Sequence, residues 1–236
     1  GFTTTNYDIK SREQRDAEIH HENLALVQQI HSGLKKKDFE EALKFLHRRM
    51  IMEERWGGAR VYEYGSKFED WGSTPLNTSL ITCTRLIKKF RAKHNIENMN
   101  LVVMSDGDTN GMHIHRDENL DDKRMTGYSK YNWDKTFVIN VDGRKVKAKG
   151  LRLDATKALL ENLQKNYGVT TLGFFLAQDH WDYKRKLADV YAESGGLDWD
   201  EEQDFRKSAQ KMMTRQKVCT FDNVLGYSQF YILKAK

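Results

Sequence analysis

The clearest pattern in the chain is a series of apolar positions with helical spacing that follows its only proline, Pro75. Apolar residues recur there at intervals of four, three, four and three: Leu76, Leu80, Cys83, Ile87 and Phe90. Such spacing places them on one face of an amphipathic helix. Proline suits the first helical position because it lacks the N–H group that would have no partner there. The pattern therefore predicts a helix that begins at Pro75, with the Thr74 hydroxyl as its N-terminal cap.

Weaker helical spacing occurs in four other segments, namely residues 16–31, 38–55, 154–168 and 198–214. The last of these segments is mostly polar. Asp154 is a suitable cap for the third helix, and Gly168 is a suitable residue for ending it. We therefore predict helices in all four segments.

Short apolar runs predict the strands. Residues 100–106 and 169–177 are continuous apolar stretches that end in turn residues, which is typical of strands buried on both faces of a parallel sheet. Residues 217–221 and 227–233 are further strand candidates, the last at a sheet edge. Asp142-Gly143 between two alternating runs predicts a β-hairpin.

Strands that alternate with helices predict an α/β, Rossmann-like fold. Its sheet is expected to be mainly parallel, with helices on both faces and right-handed crossovers. We assign residues 1–236 to a single domain, in which residues 107–150 form a polar loop and a β-hairpin insertion.

Composition narrows the class of protein without identifying it. The chain has 39% hydrophobic residues, 31% charged residues and a net charge of +5, which fits a folded chain that tolerates an acidic partner without requiring one. Cys83 and Cys219 are far apart, so neither a disulfide framework nor a zinc cluster is expected. No segment has the apolar length of a membrane span. We expect a soluble, cytoplasmic protein.

Hydroxyl and carboxylate side chains cluster where such folds bind ligands. Ligand sites of parallel α/β sheets lie at the carboxyl ends of the strands. Ser105, Asp106 and Asp108 belong to that edge, and Thr74 is expected at the same edge. Their oxygen atoms suit a hard divalent ion, Mg²⁺ or Mn²⁺, which keeps several waters and needs few protein groups. The sequence therefore predicts a metal site formed by these side chains.

Two motifs together resemble the von Willebrand factor A-like domain with its metal-ion-dependent adhesion site. They are GSTPLNTSL, residues 72–80, and LVVMSDGD, residues 101–108. The resemblance is to the intracellular branch typified by cobaltochelatase and magnesium-chelatase subunits and by similar bacteriophage-encoded proteins. It extends loosely over residues 1–177, and TLGFFLA, residues 171–177, resembles the fifth strand of that family.

The resemblance implies an ion-bridged interaction module rather than an enzyme. Thr74 and Asp106 would bind the ion, with Ser105 or Asp108 in support, and the ion would capture an acidic side chain of a protein partner. In the chelatase systems, the partner is an AAA+ ATPase. We therefore expect a partner of that kind.

One motif of the family, Asp-x-Ser-x-Ser, does not occur in the chain. The family has it after the first strand, whereas GFTTTNYD, residues 1–8, resembles the end of the second strand. We expect that a missing N-terminal fragment supplies this motif, and the alternative is a degenerate site. With Thr74 and Asp106 alone, the affinity for the ion should be weak.

The sequence also permits two other functions, a metal-dependent hydrolase and a nucleic-acid-binding protein. HIHRDE, residues 113–118, places alternate histidines beside acidic residues, a pattern that suits a metal-dependent hydrolase. Residues 85–93 are basic and could contact nucleic-acid phosphates, as could the basic residues of the predicted hairpin: Arg144, Lys145, Lys147 and Lys149. Lysines on a hairpin also protect a sheet edge from aggregation. Sensitivity to salt would indicate nucleic-acid binding, and sensitivity to a chelator would indicate the ion-bridged module.

Overall fold

The computed structural model of the protein describes residues 3–7, 19–20, 24–56, 74–105, 109, 113–114, 137–150, 152–193 and 199–234. The chain divides into two compact units, one formed by residues 1–10 with 21–73 and the other by residues 11–20 with 74–236. The assignment of residues 1–236 to a single domain stays a prediction. None of the helices in the described ranges is long and apolar enough to cross a bilayer.

The described residues form ten strands and five helices. In chain order these are β1 (Thr3–Tyr7), β2 (Ile19–His20), β3 (Leu24–Gln28), α1 (Lys36–Trp56), α2 (Leu76–His94), β4 (Met99–Ser105), β5 (His113–Ile114), β6 (Phe137–Val141), β7 (Arg144–Ala148), α3 (Leu153–Tyr167), β8 (Val169–Ala177), α4 (His180–Glu193), α5 (Trp199–Gln216), β9 (Val218–Val224) and β10 (Tyr227–Lys234).

The first unit contains β1, β3 and α1. β1 and β3 pair along their full lengths in antiparallel fashion. The helix predicted over residues 16–31 is therefore wrong, because β3 occupies part of that range as a strand. A short apolar run does not distinguish helix from strand by its periodicity, and the threonine-rich β1 favours strand pairing. The helix predicted over residues 38–55 is confirmed by α1.

The second unit is built on a four-stranded sheet in the order β4–β8–β10–β9. β4, β8 and β10 are parallel, and β9 is antiparallel to β10. The fold is thus α/β, with a mixed, mostly parallel sheet that is compatible with a Rossmann-like topology. β9 forms one edge and β10 lies between β8 and β9, so the prediction that the last strand lies at an edge is wrong. The reason is that β10 pairs with β8 in addition to β9, to which the tight turn at Leu225 and Gly226, both with positive φ, joins it.

Three helices of this unit cover one face of the sheet. On that face Gln164 Nε2 of α3 donates a hydrogen bond to Thr171 Oγ1 of β8 at 2.5 Å. Cys219 Sγ of β9 lies 3.5 Å from the Tyr183 hydroxyl of α4 and donates to the Ala209 carbonyl of α5 at 3.1 Å. The crossovers from β4 to β8 and from β8 to β10 run in the same direction, and right-handed crossovers then place their helices on the same face.

The opposite face of the sheet is exposed along β4 and β8. Val102 is 51% exposed, Met104 is 77% exposed and Leu176 is 43% exposed. The prediction that both strands are buried on both faces is therefore wrong on this side. The presence of helices on this second face stays a prediction.

The observed helices can be compared with those that the local sequence patterns predicted. The helices predicted over residues 154–168 and 198–214 are confirmed by α3 and α5, whereas α4 was not predicted. Gly168 ends α3 with a φ of 58°, as expected. Asp154 is not the N-cap of α3, because the helix already begins at Leu153. Arg152 occupies the N-cap position, and no side chain caps the helix.

Candidate functional site

A cavity of about 430 Å³ lies against the covered face of the sheet, beside α3 and α4. Val103, Phe175 and Phe230 line it from the strands, and Leu153 and Ala192 line it from the two helices. Its volume falls in the range that small-molecule sites occupy, and its wall is mainly apolar. The polar side chains of the wall therefore decide what the cavity can bind.

The residues on either side of the two predicted aspartates line this cavity. Ser105, the last residue of β4, lines the cavity, and so does Thr109, which is only 2% exposed. Asp106 and Asp108 stand between these two residues in sequence and lie outside the described residues. The chain is therefore at the cavity wall immediately before and immediately after the two aspartates.

The other predicted segment reaches the same cavity through α2. Leu76, the first residue of α2, lines the cavity, and its N–H donates to the Thr74 carbonyl at 2.8 Å. The Thr74 hydroxyl is not the predicted cap, because Pro75 occupies the N-cap position and no side chain caps the helix. The structure thus brings the two segments together and leaves the Thr74 hydroxyl outside the helix cap.

A buried polar network holds the start of α2 against the start of α3. Asn77 is 1% exposed, its Nδ2 donates to the Arg152 carbonyl at 3.1 Å, and its Oδ1 accepts from the Thr156 hydroxyl at 2.6 Å. Breaking a buried network of this kind is costly, so the segment before α2 is held at the cavity. Sequence analysis missed Asn77. Its signal was a polar residue on the same helix face as Leu80 and Ile81.

Two ion pairs line another part of the wall. Lys186 of α4 is 3% exposed, and its ammonium lies 2.8 Å from Asp189 Oδ2 and 5.0 Å from the centre of the Phe175 ring. Lys157 of α3 lies 2.5 Å from Glu193 Oε1, and this hydrogen bond raises the pKa of Lys157. Sequence analysis missed Lys186 because α4 was not predicted. Both cations are thus neutralised by carboxylates within the wall.

The side chains at the end of β4 suit a hard cation. The hydroxyl oxygens of Ser105 and Thr109 are of the kind that Mg²⁺ and Mn²⁺ accept. In the described ranges, no group of three or more histidine, cysteine or acidic side chains could hold a metal. The carboxylates that the sequence predicts for such a site are those of Asp106 and Asp108. With them, the donor set consists of oxygen atoms and fits the predicted ion.

The alternative site at residues 113–118 is described only in part. His113 belongs to β5, where it pairs with His20 of β2 in antiparallel register. His115 and Asp117 lie outside the described residues. The hydrolase function therefore stays a prediction.

The function has to be argued from the residues of the site, because no family model, no curated protein and no solved structure matches the chain. The resemblance to the von Willebrand factor A-like domain accordingly rests on the sequence motifs and stays a prediction.

Proposed function

We propose that this protein is a divalent-ion-dependent interaction module whose ion site lies at the carboxyl end of β4. The observation behind the proposal is that Leu76, Ser105 and Thr109 line one cavity. Ser105 is itself one of the predicted residues, and Leu76 and Thr109 are close in sequence to the other three: the predicted ligands Thr74 and Asp106, and Asp108, which would support them. Ligands of parallel α/β sheets bind at this edge, so the position of the site agrees with its expected chemistry.

Each of these side chains has a separate role in the proposed site. The Thr74 hydroxyl, which does not cap α2, would be a neutral ligand. The Asp106 carboxylate would bind directly or through water, and Ser105 and Asp108 would orient it. A bound Mg²⁺ or Mn²⁺ supplies a positive centre that attracts a carboxylate. The buried network of Asn77 would keep the Thr74 segment in place before the ion arrives.

The von Willebrand A-like architecture is part of the same proposal. It is supported by the adjacency of β4 and β8, since β8 contains the segment that resembles the fifth strand of that family and β4 ends at the Asp-Gly motif. The partner would be a protein that presents an acidic side chain, with an AAA+ ATPase as the expected class. A companion fragment with Asp-x-Ser-x-Ser would supply further ligands and strengthen ion binding.

The test is a titration of the protein with Mn²⁺, followed by the electron paramagnetic resonance signal of the free ion. Asp106→Asn and Thr74→Val should each weaken Mn²⁺ binding by about tenfold or more, because each removes a group that binds or orients the ion. Matched controls are Asp222→Asn on β9 and Thr78→Val in α2, which should leave the affinity unchanged. Circular dichroism would check that each variant keeps the fold.

Equal Mn²⁺ affinity in all four variants and the wild type would overturn the proposal. So would unchanged binding of the partner when Mg²⁺ is replaced by EDTA. An equal loss of Mn²⁺ affinity in Asp222→Asn and Asp106→Asn would also overturn it, because the net charge of the protein alone would then determine ion binding.

A further inference from the structure

Positive charge is concentrated in two segments of the chain. α2 contains five lysine and arginine residues and no acidic one. Residues 137–152, which include the β6–β7 hairpin, contain five basic residues and one acidic residue, Asp142. Together the two segments have a net charge of +9, whereas the whole chain has +5, so the remainder of the chain is net acidic. Such an asymmetry creates a local positive field that the net charge of the whole chain does not reveal.

The fold joins these two segments at their charged residues. Lys88 of α2 forms an ion pair with Asp142 at the hairpin turn. The hydrogen bond from Lys88 lowers the pKa of the Asp142 carboxyl, and the nearby charges of Arg85 and Arg144 act in the same direction. The one acidic residue of the two segments is therefore surrounded by cations, and the joined surface remains positive.

The hairpin presents a row of lysines to solvent. Val146 and Ala148 of β7 are buried, and β7 packs against α3. Successive residues of a strand point to opposite faces, so Lys145 and Lys147 lie on the outer face, and both are exposed. Lys149 follows at the same interval and is also exposed. Side chains two residues apart on a strand are about 6.8 Å apart, which gives a regular row of charges.

The three hairpin lysines differ from many of the cations on the helices. Elsewhere, lysine and arginine side chains form ion pairs with acidic residues three positions away: Lys44 with Glu41, Arg185 with Asp182, and Lys207 with Asp204. Among the ion pairs between described residues, none involves Lys145, Lys147 or Lys149. The row is therefore available to an external polyanion.

We propose that a basic face binds the phosphodiester backbone of a nucleic acid. The basic face is formed by exposed residues of α2 and of the hairpin: Arg85, Lys88, Lys89, Lys93, Lys145, Lys147 and Lys149. A row of lysines contacts phosphates without selecting bases, so the binding is independent of sequence and depends on salt. This function is separate from the proposed ion site.

The test is fluorescence anisotropy with a labelled single-stranded oligonucleotide and with its duplex, at several salt concentrations. The charge-reversal variant is Lys145→Glu, Lys147→Glu and Lys149→Glu together. The matched control makes the same change in charge on α5, which packs against the edge strand β9: Lys207→Glu, Lys211→Glu and Arg215→Glu. The hairpin variant should bind at least tenfold more weakly, and the control should stay within twofold of the wild type.

The salt dependence supplies a second measurement. Each lost phosphate contact lowers the slope of log K against log salt by about 0.7 for a single strand and about 0.9 for a duplex. The hairpin variant, which loses three lysines, should therefore show a slope shallower by about 2 for a single strand and by about 2.7 for a duplex. A neutral variant with glutamine at the same three lysines keeps the test valid if charge reversal disturbs the fold.

Three results would overturn the proposal. One is an equal loss of affinity in the hairpin variant and the α5 control, which would mean that net charge alone attracts the nucleic acid. Another is equally tight binding to polyglutamate or to anionic lipid vesicles, which would assign the basic face to a different partner. The third is loss of binding in EDTA together with no effect of the hairpin variant.

Discussion

Among single residues, Gly173 of β8 shows how closely the covered face of the sheet is packed. A Cβ atom at this position would lie 2.7 Å from Phe230 Cδ2 and 2.9 Å from two ring atoms of Tyr227. Both rings are buried, at 5% and 6% exposure, so they cannot move aside freely. Gly173→Ala should therefore lower the free energy of unfolding by about 1–3 kcal/mol, as overpacking of a core does. Urea denaturation monitored by circular dichroism measures this change.

The control for this prediction is Thr170→Ala, an exposed position on the same strand, which should change stability by less than about 0.5 kcal/mol. Combining Gly173→Ala with Phe230→Leu should reduce the cost of the alanine, because the nearest ring atom is then absent. Full stability of Gly173→Ala would show that the rings do not constrain this position.

Of the residues around the cavity, the sequence motifs include Ser105, whereas residues whose role depends on distant partners were missed. Ser105 was identified because hydroxyl and acidic residues follow a strand. Asn77 was not, since its partner Thr156 lies 79 positions away along the chain. Lys186 likewise owes its burial to the packing of α4 on the sheet. A local pattern contains no information about such contacts.

At the scale of elements, α2 is tied to the end of α3 by Arg91. Its Nη1 donates to the Tyr167 carbonyl at 2.6 Å and its Nη2 to the Gly168 carbonyl at 3.3 Å. A cation there satisfies carbonyl groups that have no partner within the helix and is attracted by the negative end of its dipole. Arg91→Ala should therefore lower the free energy of unfolding by about 1–2 kcal/mol in urea denaturation.

Lys93→Ala, an exposed change on the same helix, is the control for Arg91→Ala and should have little effect. Hydrogen exchange of the amides in the last turn of α3 should also be faster in Arg91→Ala. Identical unfolding curves for the two variants would mean that these hydrogen bonds add no net stability.

Elements with long periodic patterns were predicted well, and short ones were not. α2 begins one residue after its predicted start, and α1, α3 and α5 occupy their predicted segments. β3 was mistaken for part of a helix because five residues are too few to show a period, and its state is decided by pairing with β1. The position of β10 inside the sheet depends on its parallel pairing with the distant strand β8, which the apolar pattern does not show.

At the scale of the whole molecule, the net charge of the chain conceals how its charge is arranged. The value of +5 does not show that basic residues are concentrated in two segments. The ion pair between Lys88 and Asp142 shows that these two segments, about 50 residues apart in sequence, are in contact at the hairpin turn. Only the fold could reveal this, because neither segment alone is more basic than an ordinary solvent-exposed helix or hairpin.

Buried thiol and phenol groups should make the second unit less stable at alkaline pH. Burial raises the pKa of Cys83, Cys219, Tyr183 and Tyr227 above the values of exposed groups. As the pH rises, the unfolded chain therefore releases these protons before the folded chain does. Stability should be complete below the ordinary thiol pKa of 9.0 and should fall as the pH rises toward the folded values.

Urea unfolding at a series of pH values from neutral to alkaline would measure this loss. Tyr227→Phe removes one of the buried phenols, so stability should fall less steeply above the ordinary tyrosine pKa of 10.0. Phe230→Leu, at a ring that stacks on Tyr227, is the control and should lower stability by the same amount at every pH. An unchanged slope in Tyr227→Phe would show that this phenol does not couple proton release to unfolding.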